Sequence, residues 1–148
     1  MAQGQVTVFN EAKQNFGNGL IDLSSTNDFK VMLINNTTVP TAATLTPDSS
    51  DFTECANGGG YTTGGIALSV TWEESAGTVT WDSSVNPSWT AAAGSPTDIY
   101  YAIIYSTTAA GEDAVAFVDM TADVGTTPVS LVAGDVSITW NGSGIFTI

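Results

Sequence analysis

Residues 66–81 read IALSVTWEESAGTVTW. Ile66, Leu68, Val70 and Trp72 alternate with Ala67, Ser69, Thr71 and Glu73, a period of two that belongs to a strand with one apolar face. Ser75 to Gly77 supply a turn, and Val79 and Trp81 resume the alternation, so the stretch predicts a β-hairpin with one wet face.

Working outward, Ile99, Tyr101, Ile103 and Tyr105 alternate with Tyr100, Ala102 and Ile104, a β-rich run with little polar surface that belongs in the middle of a core. Phe29 to Ile34 (Phe-Lys-Val-Met-Leu-Ile) is apolar on both faces and predicts a central strand. After a turn at Gly111-Glu112-Asp113 come strand patterns at Ala114 to Met120, Val129 to Leu131, Val136 to Trp140 and Ile145 to Ile148, so the chain closes inside a sheet. The expected fold is therefore all-β. It is a single β-sandwich or jelly-roll-like domain of about eight short strands over residues 1–148, with one short N-terminal helix. The core is expected at Val31, Leu33, Leu68, Val70, Trp72, Val79, Trp81, Ile103, Phe117 and Ile138.

The helix is expected from about Thr7 to Phe16, where Phe9, Ala12, Lys13 and Phe16 follow helical spacing and Gly17 is a stop. It completes an N-terminal arm over residues 1–20. Phe9 and Phe16 would share a face and dock on the protein's own sheet or, in the other reading, on a neighbouring subunit. Residues 35–65 are a long Gly- and Thr-rich loop with one helical turn, Thr46 as N-cap and Pro47 at the first position. Loops of that length in compact domains tend to be functional.

Among 148 residues there are 15 acidic side chains, two lysines (Lys13 and Lys30), no arginine and no histidine, for a net charge of −13. Phosphate backbones and anionic membrane surfaces repel such a chain, so neither nucleic acid nor membrane is an expected partner. Without histidine, Ser-His-Asp and Cys-His arrangements are impossible. Gly58-Gly59-Gly60 is not followed by the Gly-Lys-Ser/Thr of a phosphate loop, and it reads instead as turn glycine. Asp82, Asp98, Asp119 and Asp135 sit near strand ends, but nothing singles out a glycosidase pair. Asp48, Asp51 and Glu54 share a loop yet lack the spacing of a calcium loop. No catalytic residue, cofactor or metal is assigned. The single cysteine, Cys55, reads as a small buried apolar residue. Of the four tryptophans only Trp89, beside Pro87 in a Ser/Thr-rich stretch, is expected to be exposed and able to stack on a sugar.

The order of segments carries a resemblance. The close of the helix at Phe16-Gly17, the strand Phe29 to Asn35, Gly60-Tyr61-Thr62-Thr63-Gly64-Gly65, Val79-Thr80-Trp81-Asp82, Trp89-Thr90-Ala91, Tyr101 to Tyr105 and the closing Gly144 to Ile148 together resemble a family of small virion structural proteins of tailed bacteriophages, of the head decoration or cement type. The resemblance implies a protein made in the host cytoplasm and added to the outer surface of a capsid. Its partner would be the major capsid protein, and it would commonly be a homo-oligomer, dimer or trimer. Its contact surfaces are expected in the N-terminal segment and the 35–65 loop, at Val6, Val8, Phe9, Phe16, Phe52 and Tyr61, with Trp89 as a further contact outside them. Two other readings stay open: a carbohydrate- or receptor-binding module of a head or tail fibre, and a neck or tail structural subunit.

Overall fold

In a computed structural model, which describes residues 2–44, 46–110 and 113–148, the fold is all-β, with ten strands in three antiparallel sheets and one α-helix. Its centre is the pair β7 (Tyr101–Ser106) and β8 (Ala114–Asp119), every residue of which is buried. Around them a five-stranded sheet runs in the order β1 (Val6–Val8), β8, β7, β2 (Phe29–Ile34) and β3 (Ile66–Ala67). The expected central strand at 29–34 is there. The expected turn at 111–113 falls largely on Gly111 and Glu112, which lie outside the described residues.

Directly opposed residues of an antiparallel ladder share a face. The register therefore sets Phe29, Val31 and Leu33 beside Ala102, Ile104, Ala116 and Val118, and sets Met32 and Ile34 beside Tyr101, Ile103, Phe117 and Asp119 on the other side. Each face has its own cover. Over the first lies a three-stranded sheet, β10 (Phe146–Thr147), β5 (Thr78–Ser83) and β4 (Val70–Ser75), whose fully buried Trp81 meets Phe29 edge-on at 5.0 Å. The Trp81 indole N–H also donates to the Leu23 carbonyl at 3.0 Å, so the ring brings no orphaned polar group into the core. Over the second face Phe9 packs on Phe117 at 5.2 Å and on Phe52 at 5.9 Å.

The alternating run at 66–81 does not form one hairpin. β3 pairs with β2, the Leu68 N–H then donates to the Phe29 carbonyl, and β4 pairs with β5. One continuous pattern thus crosses from one sheet to the other at Leu68–Ser69, because strands that change sheets keep their period through the corner. The hairpin proper is β4–β5, closed by Ala76 and Gly77, both at positive φ (53° and 83°), the two-residue turn whose twist matches the strands. Trp72 and Val79, expected in the core, are only half-buried: Trp72 stands on the outer strand β4, and Val79 lies close to the turn.

The N-terminal expectation needs a similar correction. Residues 6–8 are a strand paired with β8, and helix α1 spans Asn10–Gly17. The β-branched Val6, Thr7 and Val8 favour the ladder, and Phe9 stands outside the helix as an extended N-cap. Phe9 and Phe16 consequently go to different neighbours, Phe16 stacking on Phe146 at 5.9 Å. Both docking partners belong to the protein's own sheets.

The 35–65 loop is sewn to the free end of β2, with Asn35 N–H donating to Thr53 and Cys55 N–H to Leu33. Its helical turn is a 3-10 turn at Ser49–Asp51 capped by Asp48 in a reciprocal capping box with Asp51, not a turn capped by Thr46. Aspartate at the cap accepts a backbone N–H more effectively than threonine, and Thr46 sits at φ 42° with its N–H on Glu11. The glycine-rich motif is also a matter of contact. A Cβ at Gly60 would collide with the Thr90 carbonyl oxygen, and one at Gly65 with that of Val31. The expected strand at 129–131 is a single bridge, Ile99 to Val129. A two-stranded sheet joins β6 (Ser88–Trp89) to β9 (Val136–Ser137). The close of the chain is tied in as expected, Ile148 and Val79 exchanging both backbone hydrogen bonds. No helix among the described residues is long and apolar enough to cross a membrane.

Because Trp81 joins the two sheets, Trp81→Ala should cost about 3–5 kcal/mol in urea unfolding, whereas Trp72→Ala on the half-buried rim should cost well under half of that. Equal losses would mean that the Trp81–Phe29 contact is not what holds the sheets together.

Candidate functional site

Three of the seven expected contact residues, Val6, Val8 and Phe16, come together. They line a groove of about 880 Å³ on the open side of the sandwich, between β1, an outer strand of the five-stranded sheet, and β10, an outer strand of the three-stranded one. Residues 5–8 and 146–148 supply its walls, with Lys13, Phe16, Gly17 and Ala42. A strand face would contribute alternate residues. Two unbroken runs of residues mean that the groove follows strand edges.

The ladder shows which backbone groups look into it. Phe9 N–H donates to Val115 O, making that couple, and by alternation Thr7–Phe117, the hydrogen-bonded pairs of β1 with β8. The N–H and C=O groups of Val6 and Val8 therefore point away from β8. On the opposite wall Ile148 and Val79 are a bonded pair, so Thr147 turns its backbone groups away from β5 in the same manner. The stacked Phe16 and Phe146 rings give the groove apolar surface, and Ile148 is 70% exposed. None of the lining side chains is acidic, and one is that of Lys13, whose Nζ lies 3.5 Å from Asn10 Oδ1.

The other expected contact residues lie elsewhere. Phe9 is in the core, with the half-buried Phe52 against it. Tyr61 is buried as well. Its hydroxyl donates to Glu54 Oε1 at 2.6 Å and accepts the Leu33 N–H at 3.1 Å, and burial with the Glu54 bond pushes its ionisation well above the usual tyrosine range. Trp89, expected at the surface, is 3% exposed and packs 6.4 Å from Tyr61. Pro87 and Trp89 are both buried around the exposed Ser88, a short period-two signal that the sequence carried and that Ser/Thr-rich surroundings masked. Side chains so enclosed are closed to a sugar or a protein partner, so the observation behind the sugar-stacking reading is gone.

The carboxylates weighed for chemistry are engaged locally. Asp48 and Asp51 cap the 3-10 turn, Glu54 holds Tyr61 and the Gly64 N–H, Asp82 accepts from the Ser83 N–H, Asp98 accepts from Asn35, and Asp135 accepts from the Ala91 N–H. The fully buried Asp119 accepts from the N–H and hydroxyl of Thr121 with Oδ1, while its Oδ2 has no hydrogen-bond partner. Among the described residues no three His, Cys, Asp or Glu side chains are placed so that together they could hold a metal ion. A cluster that sequence spacing did not suggest is the cavity of about 330 Å³ where Glu11, Asp48 and Asp113 meet. Burial, and then the neighbouring Asp48 carboxyl, hold the Asp113 carboxyl above its ordinary range, against the Asn15 amide that donates to it.

Compared with known proteins, the chain matches no protein family, no curated protein and no solved structure.

Two outcomes follow from these environments. Burial first, then Asp98 and Glu54, push the Cys55 thiol up to about 12, so Cys55 should resist a thiol reagent at pH 8 in the folded protein and react once urea unfolds it; fast labelling without urea would mean an open site. For Asp113, a folded-state value above the unfolded one means that the native protein binds the extra proton, so its contribution falls as pH rises through that interval. Asp113→Asn should flatten this part of the stability profile and leave the protein at least as stable at pH 7, as measured by urea midpoints from pH 3 to 7.

Proposed function

We propose that this protein is a non-catalytic structural protein that binds the outside of a phage capsid and stabilises contacts between major capsid subunits. The observation that carries the reading is the groove between β1 and β10, an apolar surface without acidic side chains in its lining, in a chain that carries 15 of them. In a protein whose net charge repels nucleic acid and other copies of itself, a surface lined without acidic side chains is where a partner can approach with least repulsion. The segment pattern running from Phe16-Gly17 to Gly144-Ile148 supports the capsid as the setting, since it resembles decoration proteins along nearly the whole chain. Charge supports the outer surface over the interior, where packaged nucleic acid would repel a net −13.

The direct test is co-sedimentation of the purified protein with empty, expanded shells of the matching major capsid protein. Bound copies are counted, and shell rupture temperature is compared with and without the protein. Saturation at a fixed copy number per capsid subunit with a raised rupture temperature is expected. Shells that sediment without it would overturn the proposal.

A further inference from the structure

We infer that the groove is a strand-addition site, and that its occupant is an extended segment of the shell-forming subunit which hydrogen-bonds to the outer edge of β1 and to that of β10. The inference rests on the capsid-docking reading and says how the docking is made.

Its physical basis is the pairing of backbone groups. Val6 and Val8 on one wall and Thr147 on the other turn N–H and C=O groups away from their ladders, towards the space between. Such rows of backbone donors and acceptors are the usual template for an added strand. A compact ligand would satisfy one or two of them, whereas an extended backbone offers donors and acceptors at the strand repeat.

The walls also select side chains. Phe16 and Phe146 call for apolar groups on one side of the added strand. Lys13 is one of only two cationic side chains in the protein and stands at the groove with no acidic side chain in the lining, which favours a segment carrying an acidic residue opposite it. The same charges argue against a second copy as occupant. Two chains of −13 each repel, and the groove lining of a second copy, which has no acidic side chain, would offer Lys13 no carboxylate to pair with. Lys13 also guards the edge, since a charge beside short strands of three and two residues discourages indiscriminate pairing.

The test is amide hydrogen exchange, read by mass spectrometry on the full chain, free and bound to the expanded shells. Strand addition should slow exchange in residues 5–8 and 146–148 by about tenfold or more. Binding to shells without that slowing would overturn strand addition while leaving capsid docking intact. No binding to shells would overturn both. Slowing of the same segments in the free protein at high concentration, with a doubled mass, would overturn the assignment by making a second copy the occupant.

Two variants separate backbone from charge. Val8→Pro deletes an outward N–H and leaves the Thr7–Phe117 pair, so it should weaken shell binding about tenfold with little change in thermal midpoint. Lys13→Glu leaves every backbone group in place, so that loss of folding in the proline variant would not obscure the result. It should also weaken binding about tenfold, and more at low salt than at high salt. Unchanged affinity in Lys13→Glu together with unslowed exchange would overturn the proposal.

Discussion

The burial of β7 and β8 on both faces is the constraint from which the rest of the architecture follows. Antiparallel sheets commonly leave one face to water, but the two central strands here are buried at every residue, with Ala102, Ile104, Ala116 and Val118 on one side and Tyr101, Ile103 and Phe117 on the other. One face is closed by a second sheet through Trp81, and the other by Phe9, with Phe52 behind it. The long 35–65 segment belongs to this enclosure, since Tyr61 and Cys55 are built into the core and the loop backbone is bonded along β2. Its irregularity comes from close approach. Where the chain runs at Gly60 and Gly65, another backbone carbonyl already fills the place of a side chain.

With both faces of the central sheet committed, what the fold leaves open are edges. On the β2 side of the large sheet, β3 and loop residues 53–55 provide the cover, while β1 leaves its outer side open. The small sheet likewise ends on β10. The outer edges of β1 and β10 lie on the same side of the sandwich, and the helix that follows β1 brings Phe16 and Lys13 to their junction. A groove between edges is thus a consequence of how the core is covered.

The shortage of cations shapes the same surface. Two lysines cannot balance 15 carboxylates, so carboxylates are held by backbone N–H groups, amides and hydroxyls, as at Asp123 with Thr126 and Thr127 or Asp22 with Ser24. These bonds keep Asp22 and Asp123 below the ordinary carboxylate range. At Asp48 and Asp113 two carboxyls meet directly, and there the balance goes the other way for Asp113.

The sequence by itself determined the all-β class, the doubly apolar strands at 29–34 and 101–105, the turn at 75–77 and the absence of histidine chemistry, because side-chain period and residue type are local properties. It also placed Val6, Val8 and Phe16 among the candidate contacts. Tertiary structure decided where the period-two run at 66–81 changes sheets, since alternation continues through a corner and cannot say which partner a strand pairs with. It decided that Trp89 and Tyr61 belong to the core and Trp72 to the rim, because burial depends on what the neighbouring sheet covers. And it brought residues 5–8 and 146–148, at opposite ends of the chain, to one groove, a proximity that only the pairing of β1 with β8 and of β10 with β5 creates.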